Sequence, residues 1–162
     1  MYSEGEFRIG ALKLIAHETF EVGRACIHPA YRSSGALARL WSGLGAYVRD
    51  NKVKYLAGCA SVSLDGGALN LGALRAELMA KQLAPLDFRV EPIRGLPSFG
   101  DPMGSRVIAP PLLNGYLRLG AWICGEPAWD PDFDSADFLI LLPIERMVPR
   151  YAQHFLGART AQ

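Results

Sequence analysis

The chain has 162 residues, half of them hydrophobic and a fifth charged, with a formal net charge of +1. That length and balance fit one domain (1–162) with a real core and exclude gross disorder. So small a net charge gives no bulk electrostatic basis for binding nucleic acid, and any anion site has to be local. Three cysteines, Cys26, Cys59 and Cys124, make an odd count with no CxxC pair. This argues against a disulfide framework and against a zinc site, and no metal site is expected. Cys26 and Cys59 read as small buried hydrophobes in apolar strands of a protein kept reduced. No basic segment followed by an apolar run opens the chain, so no signal peptide is read. The longest apolar run, near 138–144, falls far short of the roughly 20 residues that span a bilayer. The expected location is the cytoplasm, with any membrane contact peripheral, at the inner membrane surface.

Residues 1–19 are poorly patterned and read as a loop or one short helix. Residues 20–28 read as a strand carrying Phe20, Val22, Cys26 and Ile27, and Pro29 ends it because proline cannot donate to a ladder. Ser33 or Ser34 is placed to cap the next element. From there Leu37, Leu40, Trp41, Leu44 and Val48 recur at helical spacing and predict one face of a helix that ends near Asn51. Residues 53–64, "VKYLAGCASVSL", read as a central strand, apolar on both faces because helices cover it. Asp65-Gly66-Gly67 breaks the chain, and residues 68–83 return to helix with Leu69, Leu71, Leu74, Leu78 and Met79 on one side.

Residues 84–111 hold six prolines and read as irregular, either a functional segment or a surface excursion. Pro111 opens a helix whose face is Leu112, Leu113, Tyr116, Leu117 and Leu119, and Gly120 ends it. "AWICGEPAWD" and "ADFLILLPI" read as two strands joined through 130–135 like a hairpin. The tail, 146–162, begins helical and then frays. This order predicts an α/β fold with a mixed sheet.

The stretch "FEVGRACIHPAYRSSG" places Ser33, Ser34 and Gly35 at a helix N-terminus, where backbone N–H groups favour phosphate, and Arg32 adds a bidentate charge. The longer string "FEVGRACIHPAYRSSGALARLWSGLGAYV" resembles the central motif of the ornithine–acyl-carrier-protein N-acyltransferases. These are bacterial enzymes of ornithine-lipid synthesis, also labelled hemolysin-like acyltransferases. They lie in the GNAT-like superfamily alongside acyl-homoserine-lactone synthases. "YLAGCAS", "PPLLNGYLRLGAWICGEPAWD" and "DFDSADFLILLP" follow in the same order, so the resemblance covers about residues 20–150. It implies a GNAT-like (acyl-CoA N-acyltransferase-like) mixed sheet flanked by helices. Family members are longer, so the chain looks like a C-terminal part lacking the N-terminal strands of the full fold. The usual pyrophosphate loop, Arg/Gln-x-x-Gly-x-Gly/Ala, here runs Arg32-Ser33-Ser34-Gly35-Ala36-Leu37. The final leucine suits a donor carried on acyl carrier protein better than coenzyme A.

The reaction implied is transfer of a 3-hydroxy fatty acyl group from acyl carrier protein to the α-amine of ornithine. No cofactor is held permanently; the acyl-phosphopantetheine (or acyl-CoA) is a substrate. The alternatives are a transferase using acyl-CoA on another amine, or a non-catalytic remnant that binds acyl carrier protein. In GNAT-type enzymes the motif strand parts from its neighbour and the pantetheine lies in the gap; by resemblance these are 20–28 and 53–61.

Glu21 reads as the general base, directly or through water, against a structural pairing with Arg24. Arg24 pairs with Glu21 or clamps the acceptor's carboxylate. On a regular strand the two face opposite sides, and a bulge would bring them closer. His28 is a further acid or base, against a structural hydrogen-bonded role. Tyr31 and Arg32, with Ser33, Ser34 and Gly35, look like donor-phosphate contacts. Asp132, Asp134 and Asp137 read as turn-formers, with one of them able to meet the acceptor's ammonium. An unprotected sheet edge invites a homodimer.

Overall fold

The computed structural model of the chain describes residues 1–24, 26–31, 35–64, 71–96 and 109–156. The N-terminal segment is a 3₁₀ turn (Tyr2–Gly5), a two-residue strand β1 (Phe7–Arg8) and a nine-residue 3₁₀ stretch (Gly10–Glu18). Strand β2 (Thr19–Glu21) leads through a short 3₁₀ turn (Pro29–Tyr31) to helix α1 (Ala36–Asp50). Strand β3 (Tyr55–Ser63) and helix α2 (Leu71–Lys81) follow. Next come β4 (Glu91–Pro92), α3 (Pro111–Leu119), β5 (Trp122–Ile123), β6 (Ala128–Asp130), β7 (Ser135–Pro143) and α4 (Pro149–Leu156).

The main sheet runs β2-β3-β7-β5, with β6 also on β7. β2 and β3 are parallel; the β3–β7, β5–β7 and β6–β7 pairs are antiparallel. The expected mixed sheet flanked by helices is therefore present, and Asp130 opposite Ser135 closes the expected hairpin. β7 is buried at every position, which explains why "SADFLILLP" is almost entirely apolar.

Side-chain alternation splits the core in two. Leu56, Ala60 and Val62 of β3, with Phe138, Ile140 and Leu142 of β7, face the helices and pack with Val48, Leu74, Leu78 and Leu113. Ala57 of β3 and Leu139 and Leu141 of β7 face the other way. They are covered by Phe7, Ile9 and Leu12 of the N-terminal segment and by Ala84 and Val90. The expectation of helices on both faces of β3 is corrected here: the second cover is 3₁₀ and irregular chain. The unpatterned N-terminus is thus part of the core, its apolar residues spaced for 3₁₀ turns rather than for a helix or a longer strand.

Residues 84–96 are more ordered than their prolines imply. Ile93 donates to the Glu6 carbonyl at 2.8 Å, and the Trp129 N–H donates to the Arg94 carbonyl at 2.9 Å, so this run staples β1 to β6. α3 starts at Pro111 and stops at Gly120, whose φ of +102° only glycine adopts easily. Among the described residues no helix is long and apolar enough to cross a membrane.

Candidate active site

The strand expected over 20–28 stops at Glu21. Its pairing with β3 covers Thr19↔Tyr55, Phe20↔Leu56 and Glu21↔Ala57, and one more bond, Val22 N–H to the Ala57 carbonyl at 2.8 Å, ends it. The physical cause is on β3. A Cβ built on Gly58 would lie 2.2 Å from the Val22 carbonyl oxygen, so at this point the departing chain crosses directly over a residue that has no side chain. β3 runs on for five residues beyond Gly58, held by β7 alone on its other side. The two strands therefore part. Every second residue of a strand turns its backbone N–H and C=O to the same neighbour, so Cys59 is the next residue after Ala57 to face the gap.

Glu21 stands at this fork, half-buried, on the face covered by the N-terminal segment. Its carboxylate accepts the backbone N–H of Tyr2 at 2.5 Å and of Ser3 at 2.8 Å. Arg24 has a left-handed φ of +53°, which turns the chain after the strand. Its guanidinium lies 5.0 Å from the centre of the Tyr2 ring, and Nη2 donates to the Tyr2 hydroxyl at 3.4 Å. Among the described residues Glu21 and Arg24 make no ion pair; both meet at Tyr2 instead.

On the helix face the fork opens into a cavity of about 320 Å³, lined by Val22, Arg24, Cys26, Leu40, Trp41 and Tyr116 among others, mostly apolar. Leu40 and Leu112 were expected on buried helix faces; they are 54% and 44% exposed because they flank this opening rather than the core. Cys26 is exposed, contrary to the expected buried strand residue, because β2 has already ended. A neighbouring groove is lined by Cys26, His28, Tyr31, Arg39 and Leu40. There His28 Nδ1 accepts the Ala30 N–H at 3.3 Å, and its ring lies 6.0 Å from that of Tyr31. Gly35 caps α1 with a φ of +73°. Arg32, Ser33 and Ser34, the other expected phosphate contacts, lie outside the described residues.

The opposite face holds a second polar group. Glu6, Asp130 and Asp137 bring one carboxylate oxygen each within 4.8 Å of one another. Asp137 shares its β7 face with Leu139 and Leu141, is 4% exposed, and accepts the Ser135 hydroxyl at 2.8 Å. It is therefore not a turn-former; Asp130 takes that role, accepting the N–H groups of Asp132 and Phe133. Burial, then the Asp137 charge, pushes the Glu6 carboxyl above its ordinary range. Burial first, then Glu6, raises the Cys59 thiol, so it is a poor nucleophile. Cys59 thus touches both the apolar cavity and the acids. Three carboxylates in this arrangement can hold a cation. Sequence reading missed Glu6, which sits in an unpatterned segment; Asp137 was legible as an acid in an otherwise apolar strand.

Residues 1–42 match the acetyltransferase (GNAT) domain family. The chain is 33% identical over 165 residues to a protein of Brucella abortus (strain 2308) named L-ornithine N(alpha)-acyltransferase, covering 95% of this chain and 58% of that protein. Proteins of the same name from Rhizobium meliloti (strain 1021) and Agrobacterium fabrum are 32% and 30% identical, with 55% and 56% of their lengths covered. The chain thus spans a little over half the length of these curated relatives. No solved structure matches it.

Proposed function

We propose that this chain, which has a GNAT-like fold and is homologous over 95% of its length to proteins named L-ornithine N(alpha)-acyltransferase, carries an amine N-acyltransferase site. In this reading it moves a fatty acyl group, 3-hydroxylated, from the phosphopantetheine of acyl carrier protein to the α-amine of ornithine. It works in the cytoplasm, peripheral at the inner membrane surface, where the amphiphilic product belongs. The observation that carries the reading is the fork: β2 and β3 part at Gly58 beside an apolar cavity between α1 and α3.

Acyl transfer from a thioester needs an amine stripped of a proton, an oxyanion met by donors and a thiol able to leave. The pantetheine arm lies along the edge of β3 freed by β2, bonded to the Cys59 backbone. The acyl chain fills the cavity of Leu40, Trp41, Leu112 and Tyr116. Tyr31 and the α1 N-terminus at Gly35, with Arg32, Ser33 and Ser34 before it, take the donor phosphate. Glu21, at the mouth of the fork, takes the amine's proton through water. A carboxylate has about four acceptor sites and two are used by Tyr2 and Ser3, which hold it in place and leave room for that water. Arg24 meets the acceptor's carboxylate, and His28 protonates the leaving thiolate.

Incubation with ornithine and 3-hydroxyacyl carrier protein, in parallel with the matching acyl-CoA, tests this by mass spectrometry. N-acylornithine from the carrier-protein arm is expected; product from the CoA arm alone would reassign the donor, and none from either would refute the reading. Glu21→Gln should lower turnover by about 10²–10⁴-fold while sparing donor binding. Unchanged turnover removes Glu21 from the mechanism.

A further inference from the structure

A cavity of about 370 Å³ lies on the face opposite the apolar cleft, lined by Tyr2, Glu6, Arg94, Trp129, Asp130 and Asp132 among others. Its volume is in the range of small-molecule sites. Glu6 and Asp130 stand at one part of it with buried Asp137 behind, and among the described residues none of these acids is in an ion pair. Glu6 has the weakly donating Cys59 thiol and the Asp137 carboxyl beside it, and its buried Oε2 has no strong donor. Three crowded carboxyl groups met by no cation are unfavourable, and a charged donor in the cavity relieves that. Arg94 supplies the opposite charge in the same cavity and has no ion pair among the described residues. A cavity with acids and a guanidinium fits a molecule that carries both an ammonium and a carboxylate.

We infer that this cavity seats the acceptor, a free amino acid with a second, terminal ammonium: Glu6 and Asp130, backed by Asp137, hold that ammonium, and Arg94 grips the carboxylate. This rests on the acyltransfer reading and deepens it, assigning Arg94 the grip offered above to Arg24. The ammonium has three donors, matching the three carboxylates, whereas a hard divalent cation takes six or more oxygens. A terminal ammonium paired with carboxylates keeps its proton and is not nucleophilic. The α-amine is left as the reactive one, on the side of Cys59, which neighbours Glu6 of this cavity and lines the apolar cleft. Selectivity for the α position follows from which amine is neutralised by salt bridges.

Calorimetric titration of the intact chain tests this with L-ornithine, L-norvaline (no terminal ammonium), putrescine (no carboxylate) and calcium chloride. Ornithine should bind about 10- to 100-fold more tightly than norvaline or putrescine. Glu6→Gln should reduce ornithine to norvaline's affinity and let Nδ-acylornithine appear among the products. Arg94→Gln, at an exposed position, should reduce ornithine to putrescine's affinity. Equal binding of ornithine and norvaline overturns the proposal, as does wild-type ornithine affinity in both variants. Calcium binding lost in Glu6→Gln, with ornithine unaffected, assigns the acids to a metal and also overturns it. If the ornithine pattern holds and no amine is acylated, the acyltransfer reading fails and the pocket stands. If both variants acylate ornithine as the wild type does, the pocket fails and the reading stands.

Discussion

Glu6 shows how one side chain couples burial to acidity. Its carboxyl titrates at 4.5 in an unfolded chain and higher in the folded one, because burial and then the Asp137 charge disfavour the anion. Between those two values the folded protein holds more protons than the unfolded, so stability falls as pH rises through the folded value. Present below 4.5, this contribution is lost above the folded value. Denaturant midpoints measured from acid to neutral pH should show that decline in the wild type and a shallower one in Glu6→Gln. Parallel curves for the two proteins would mean that Glu6 does not titrate in this way. Cys124 lies in the same layer and behaves as an apolar filler, its thiol pushed up to about 12 by burial.

At the level of elements, the β2–β3 pair sets the geometry of the fork. The contact that a Cβ at position 58 would make is with a backbone carbonyl, which cannot rotate away as a side chain can. Gly58→Ala should therefore cost about 1–3 kcal/mol, read as a lower denaturation midpoint, and should weaken donor binding more than acceptor binding. A wild-type midpoint would show that Val22 yields without cost. A glycine inside "YLAGCAS" was a visible sign of close backbone approach. The residue it makes room for was not visible, since Val22 and Gly58 are neighbours only across the sheet. Nor did 20–28 announce an early end: Val22, Cys26 and Ile27 have strand-like side chains, and only the crossing shows why the ladder stops at Ala57.

Across the whole molecule, the apolar cleft lies on the helix side of the main sheet and the polar cavity beside β6 and the N-terminal segment, and Cys59 lines the first and neighbours Glu6 of the second. On the proposed reading two substrates entering from two sides do not compete for space, and burial keeps the Cys59 and Cys124 thiols poor nucleophiles. Initial-rate measurements varying both substrates should give intersecting double-reciprocal lines, the mark of a ternary complex. Parallel lines would indicate an acyl-enzyme and would contradict this arrangement. The N-terminal segment has a structural share in both sites: Tyr2 and Ser3 hold Glu21 by their backbone, and Glu6 reaches Asp137.

What the chain's order of residues settled alone was local. Helical spacing placed a helix through Leu37–Val48, one within 68–83 and one from Pro111 to Gly120, and nearly continuous apolar character along 53–64 and 136–144 marked interior strands. Each of these depends on backbone preferences and side-chain periodicity within a few residues. The tertiary structure decided the rest: that the strand expected over 20–28 is Thr19–Glu21 followed by a departing chain, that Cys26 is exposed, and that Glu6 joins Asp130 and Asp137. Those outcomes depend on which distant backbone or charge lies opposite a residue, and neither steric contact across a sheet nor desolvation beside a remote acid leaves a periodic trace in the residues themselves.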